Sequence, residues 1–108
     1  MITVVVQFDV PAGTTSDDAK ERYLGTAPRF RAMPGLLRKY YLFDAQSGKG
    51  GGCYLFENRA AAESAFNDEW RGRIRKLYGD PDVQYFETAV VVDNITDQIV
   101  EDTAEESD

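Results

Sequence analysis

The stretch Leu36 to Phe43, LLRKYYLF, sets two cations beside two tyrosines. Side chains alternate along an extended chain, so Arg38 would point with Tyr40 and Lys39 with Tyr41. Only one of these pairs can line a given face, and the sequence alone leaves both open. Elsewhere Tyr54, Trp70, Tyr85 and Phe86 are rings able to wall a small-molecule pocket, with Gln7, Arg38 and Lys39 as polar anchors. Such a set suits an electron-rich aromatic: the rings hold it, and a cation holds the phenolate or enolate it forms. The pKa of a lysine stripped of water is also free to move. The plainer alternative for Lys39 is a strand edge from which its stem reaches solvent. For Trp70 it is a place in the core or an interface.

The chain has no histidine. That removes Ser-His-Asp and Cys-His catalysis, histidine-ligated haem and the usual zinc sites. Cys53 is the one cysteine; it cannot form an internal disulfide, and beside Tyr54 on a strand it reads as a small hydrophobe. The run Gly48-Lys49-Gly50-Gly51 joins two strands rather than a strand to a helix, which argues against a phosphate cradle.

The elements that must position these residues follow from periodicity. Ile2, Val4, Val6, Phe8 and Val10 alternate with more polar positions, as in a strand. Thr15 and Asp18 have capping-box spacing ahead of a helix over residues 16–31, with Tyr23, Ala27 and Phe30 inward and a kink or break expected near Pro28. Met33-Pro34-Gly35 turns the chain into the second strand, Asp44 to Gly51 reads as a hairpin loop, and Gly52 to Glu57 as the third strand. Asn58 and Asn67 are caps for two successive helical segments ending near Tyr78, and Val83 to Val92 reads as a last strand.

This order, β-α-β-β-α-β, predicts an α+β ferredoxin-like fold with a four-stranded antiparallel sheet in residues 1–94. Two helical layers cannot cover both faces of that sheet, and strands two and four carry large side chains on both. The uncovered face therefore points to sheet-to-sheet pairing in a homodimer. Six of the nineteen acids fall in residues 97–108 with no base among them, so residues 95–108 read as an acidic, disordered tail. The remaining thirteen acids nearly balance the twelve Lys and Arg, which leaves no footprint for nucleic acid or an anionic membrane. No export signal or membrane span is evident, so the expected location is the cytoplasm.

Three segments carry a family resemblance: Met33-Pro34-Gly35-Leu36-Leu37-Arg38-Lys39-Tyr40-Tyr41, Gly51-Gly52-Cys53-Tyr54-Leu55-Phe56-Glu57, and the run from Glu69-Trp70-Arg71 to Asn94. Their order and spacing resemble the YdhR-like monooxygenases of the dimeric α/β-barrel superfamily. The resemblance implies a homodimer whose sheets form a barrel with a pocket in each half. It also implies oxygenation of a small aromatic or polyketide-like molecule by O2 with no metal, flavin or haem. Carried over by position, it favours Lys39 and Tyr41 as the catalytic pair, with Pro34, Gly35, Gly51, Gly52 and Tyr54 also matching. Haem-degrading and histidine-dependent relatives are excluded because this chain lacks their histidine. Two other readings stand beside it: a non-catalytic small-molecule-binding homodimer, and a dimer whose barrel is filled by its own rings.

Overall fold

In the computed structural model, which describes residues 1–102, β1 (Ile2–Asp9) lies in the middle of a four-stranded antiparallel sheet. It pairs with β3 (Lys49–Phe56) on one side and β4 (Asp82–Glu87) on the other, and β2 (Leu36–Asp44) forms the edge beyond β3. This is the expected ferredoxin-like architecture. One face of the sheet is covered by α1 (Ser16–Arg31), α2 (Arg59–Ala65) and α3 (Asp68–Tyr78). Ile2, Val4, Val6 and Phe8 of β1 meet Tyr54, Phe56, Phe66 and Trp70 there to form the core.

Local chemistry sets the helix ends. Thr15 and Asp18 exchange hydrogen bonds of 3.1 Å in a full capping box, and the Asn58 and Asn67 side chains accept from the amides of Ala61 and Trp70. Helix α1 runs through Pro28 as one element, without the break that the sequence allowed there. Only one turn follows that proline, and Phe30 in that turn packs on Tyr54 and Tyr41, ring centroids 5.8 and 6.2 Å away. The packing offsets the lost hydrogen bond.

Three departures from the sequence reading bear on function. First, β3 begins at Lys49, so Gly50 and Gly51 belong to the strand and not to the hairpin loop. Second, the last strand is interrupted: β4 ends at Glu87, and β5 (Val90–Asp93) leaves the sheet to pair with β6 (Gln98–Glu101). Thr88 marks the break, its amide donating to the Met1 carbonyl at 2.9 Å. Third, the expected tail from Ile95 contains β6, because Asp93 builds the turn that returns the chain. Its Oδ1 accepts from the amides of Ile95 and Thr96 at 3.0 and 3.2 Å, and its Oδ2 from Arg38 at 2.8 Å. The rest of that tail, residues 103–108, lies outside the described residues.

Candidate functional site: a lysine held by three rings

The β2–β3 register slips between Leu36 and Arg38. Leu36, opposite Phe56, packs against the core; after the slip the helix-facing positions are Lys39, opposite Tyr54, and Tyr41, opposite Gly52. This bulge decides which pair on β2 faces inward. Although β2 is an edge strand, the Lys39 side chain runs beneath α1. Its Nζ lies 3.4 Å from the ring centroid of Phe30, 3.7 Å from that of Tyr41 and 4.6 Å from that of Tyr54. Burial, and after it the nearby Arg29 guanidinium, lowers the Lys39 pKa to about 7. The ring faces act in the opposite sense, each favouring the ammonium by about 0.5–2 kcal/mol.

Beside Lys39 a cavity of ≈420 Å³ opens between sheet and helices, within the ~300–1,000 Å³ usual for small-molecule pockets. Helix α1 contributes Arg22, Tyr23, Thr26, Arg29 and Phe30, and α3 contributes Trp70, Arg73, Ile74, Leu77 and Tyr78. Both sets recur at three- and four-residue steps, one face of each helix. The rings are braced. Tyr23 stacks on Tyr41 at 4.5 Å and donates to the Leu42 carbonyl at 2.9 Å, and Phe8 stacks on Tyr78 at 4.2 Å. Thr26 donates to the Tyr23 carbonyl at 3.1 Å, so its contact with the Tyr41 hydroxyl at 2.6 Å is one in which Tyr41 donates. Burial raises the pKa of Tyr54, Tyr41 and Tyr23, which keeps these phenols protonated near neutral pH.

Glycines in β3 make the room. A β-carbon at Gly52 would lie 2.9 Å from Tyr54 Cε1 and 3.2 Å from Lys39 Cε, where the lysine stem now passes. At Gly51, with φ +148°, it would lie 1.8 Å from the Val6 carbonyl oxygen. The glycines therefore let the Lys39 stem, the Tyr54 ring and the β1 backbone approach β3 closely, rather than serving a loop.

Of the residues read from sequence, Lys39, Tyr41, Tyr54 and Trp70 come together on this cavity. Trp70 is also core, 5% exposed and edge-on to Phe66 at 4.7 Å. Tyr85 is on the same sheet face but packs against Phe66 and Arg59, away from the cavity lining. Arg38, Tyr40, Phe86 and Gln7 lie on the opposite face, where Tyr40 and Phe86 are half exposed and Arg38 pairs with Asp93. The sequence reading missed Arg22, Thr26, Arg29, Arg73 and Tyr78. Their common signal is the helical spacing to Tyr23, Phe30 and Trp70, visible once those three are taken as inward. Among the described residues no three His, Cys, Asp or Glu side chains gather as metal ligands.

The family model described as "Putative mono-oxygenase ydhR" matches residues 3–99. The chain belongs to this family. No curated protein matches it. Solved structures of the same fold include a monooxygenase from the gene ActVA-Orf6 of Streptomyces coelicolor, in complex with the ligand Nanaomycin D. That chain is 22% identical, with a TM-score of 0.61 over 83% of this chain and 90% of that one. SnoaB, a cofactor-independent oxygenase from Streptomyces nogalater, is 17% identical with a TM-score of 0.60, covering 81% of this chain and 91% of its own. The protein NE2512 from Nitrosomonas europaea, of unknown function, is 14% identical with a TM-score of 0.64, covering 81% and 87%. Among the described residues no helix is long and apolar enough to cross a membrane.

Proposed function

We propose that this ydhR-family chain is a cytoplasmic, homodimeric monooxygenase that oxidises a phenolic or enolisable aromatic with O2 and needs no cofactor. The observation that carries the reading is Lys39, enclosed by Phe30, Tyr41 and Tyr54 at the wall of an aromatic cavity. With a pKa near 7, Lys39 is present as amine and as ammonium at neutral pH. The amine takes the proton of the substrate, and the ammonium so formed stays beside the resulting anion. Tyr41 and Tyr54 hold the ring, and their own protons stay in place. The anion passes an electron to O2, the two radicals join, and the adduct collapses. For an anthrone the methylene loses two hydrogens and gains one oxygen atom to give the quinone; the other oxygen atom leaves as water. The methylene carbon supplies all four electrons that O2 takes up, so the balance needs no further reductant.

Support for the dimer comes from the uncovered sheet face and the β5–β6 hairpin, where Tyr40, Phe86, Val92 and Ile99 are 54%, 49%, 64% and 71% exposed. The functional test is oxygen uptake by metal-stripped protein with phenols, anthrones and quinols, boiled protein serving as control. Uptake that depends on protein and survives chelator is the expected result. A thermal shift without uptake replaces the oxygenase with a binding dimer, and neither signal overturns both.

A further inference from the structure

Among the described residues four cations border the cavity, Arg22, Arg29, Lys39 and Arg73, and no aspartate or glutamate does. The whole chain runs the other way, with nineteen acids against twelve Lys and Arg. Among the described residues Arg38, Lys49, Arg59 and Arg75 are engaged in ion pairs; Arg29 and Arg73, like Lys20, Arg31, Arg71 and Lys76, are not, and of these six only Arg29 and Arg73 border the cavity. Arg22 is partly committed: it donates to the Tyr78 hydroxyl at 3.3 Å and has Asp18 one turn before it. Arg29 and Arg73 belong to different helices, α1 and α3, so the fold sets on the border of one cavity two guanidinium groups that no carboxylate of the described residues neutralises. Lys39 already answers to the anion that forms during oxidation. Its charge does not account for theirs.

Resting on the oxygenase reading for the role of the cavity, we infer that the ligand is an aromatic acid. Its rings sit against Phe30, Tyr41, Tyr54 and Trp70 with a hydroxyl towards Lys39, and a separate carboxylate lies between Arg29 and Arg73. Guanidinium groups suit this task because their planar donors match a carboxylate and stay charged at every working pH. Both arginines are exposed at the cavity rim, so the attraction is screened by salt.

The test is calorimetric titration of the full chain under argon, where no turnover occurs. The probes are a dihydroxyanthrone carboxylic acid and a hydroxynaphthoic acid, each against its methyl ester. The acids are expected to bind about tenfold tighter than the esters, a difference of ~1.4 kcal/mol. That preference should shrink on adding salt and fall below about threefold in the Arg29→Gln/Arg73→Gln variant, with ester affinity changing far less. Both residues are exposed, so the variant should fold; should it not, Arg73→Gln alone carries the same comparison. Equal affinity for acid and ester, a preference that survives the substitutions, or binding of none of the four compounds overturns the inference. Oxygen uptake is measured separately in air. A retained acid preference without uptake removes the oxygenase reading and leaves the aromatic acid standing.

Discussion

The Lys39 ammonium lies 3.4 Å from the ring centroid of Phe30, joining the middle of an edge strand to the last turn of α1. A cation placed there is out of water yet faced by π-electrons, and the balance between these two effects sets its chemistry. Removing the charge while keeping the stem is therefore the sharpest single change. Lys39→Met should lower oxygen uptake by a factor of about 100, within the range for a lost proton-transfer group. Its melting temperature should stay level or rise, since a buried charge is removed and the contacts of the stem are kept. Unchanged turnover with a large loss of stability would make Lys39 structural.

The same residue gives a pH signature. Its folded pKa of about 7 lies below the ordinary 10.5, so between these values the unfolded chain binds more protons than the folded one. Stability from this group must then rise with pH across that window, the cost of burying the ammonium being fully present below it and relieved above it. Urea unfolding of wild type and Lys39→Met should show the wild type gaining on the variant between ~pH 7 and ~pH 10. A constant gap would show that the rings hold the pKa at its ordinary value.

Gly51 and Gly52 are adjacent, and they should fail differently. In Gly52→Ala the new methyl meets the Tyr54 ring and the Lys39 stem, which can shift. A loss of about 1–3 kcal/mol is expected, with ligand affinity falling as Lys39 is displaced. In Gly51→Ala it meets the Val6 carbonyl oxygen, which is backbone and cannot give way, and the φ of +148° is itself disfavoured. That variant should be the less stable of the two in urea, and the reverse order would contradict the packing described.

Asp93 ties the β5–β6 hairpin to the sheet. Its hydrogen bond from Arg38, with those from the Thr96 and Ile95 amides, holds its pKa down to about 2. A depressed carboxyl stabilises the fold above its unfolded pKa and ceases to do so as pH falls through the folded value. Asp93→Asn should therefore unfold more easily than wild type at neutral pH, with the gap closing as pH falls from ~4 towards 2. Amide exchange in β5 and β6 should quicken in the variant; exchange identical to wild type would show that the pair is not what docks the hairpin.

The outer sheet face offers a test of assembly. Tyr40 and Phe86 are half exposed there, on strands at the two edges of the sheet. Wild type is expected to sediment as a dimer, and Tyr40→Glu/Phe86→Glu as a folded monomer. A folded wild-type monomer would remove the homodimer.

Much of this protein is local, and local features are legible in sequence. The capping box at Thr15 and Asp18, the asparagine caps and the alternation of β1 all arise within a few residues, so the element order and the ferredoxin-like sheet follow from the chain itself. The absence of histidine likewise narrows the chemistry without any structure. The choice between Arg38 with Tyr40 and Lys39 with Tyr41 is of another kind. It turns on a one-residue slip at Leu37, where Leu36 stays on the core side opposite Phe56 and the alternation restarts out of step. Period two cannot reveal its own interruption, and the groups that Lys39 meets once the bulge has turned it inward, Phe30, Tyr54 and Gly52, lie on other elements. The break at Thr88 is held in the same way, by Met1 at the far end of the chain. Nor does any window of sequence bring Arg29 and Arg73 to one cavity; only the packing of α1 and α3 on a shared sheet face does so.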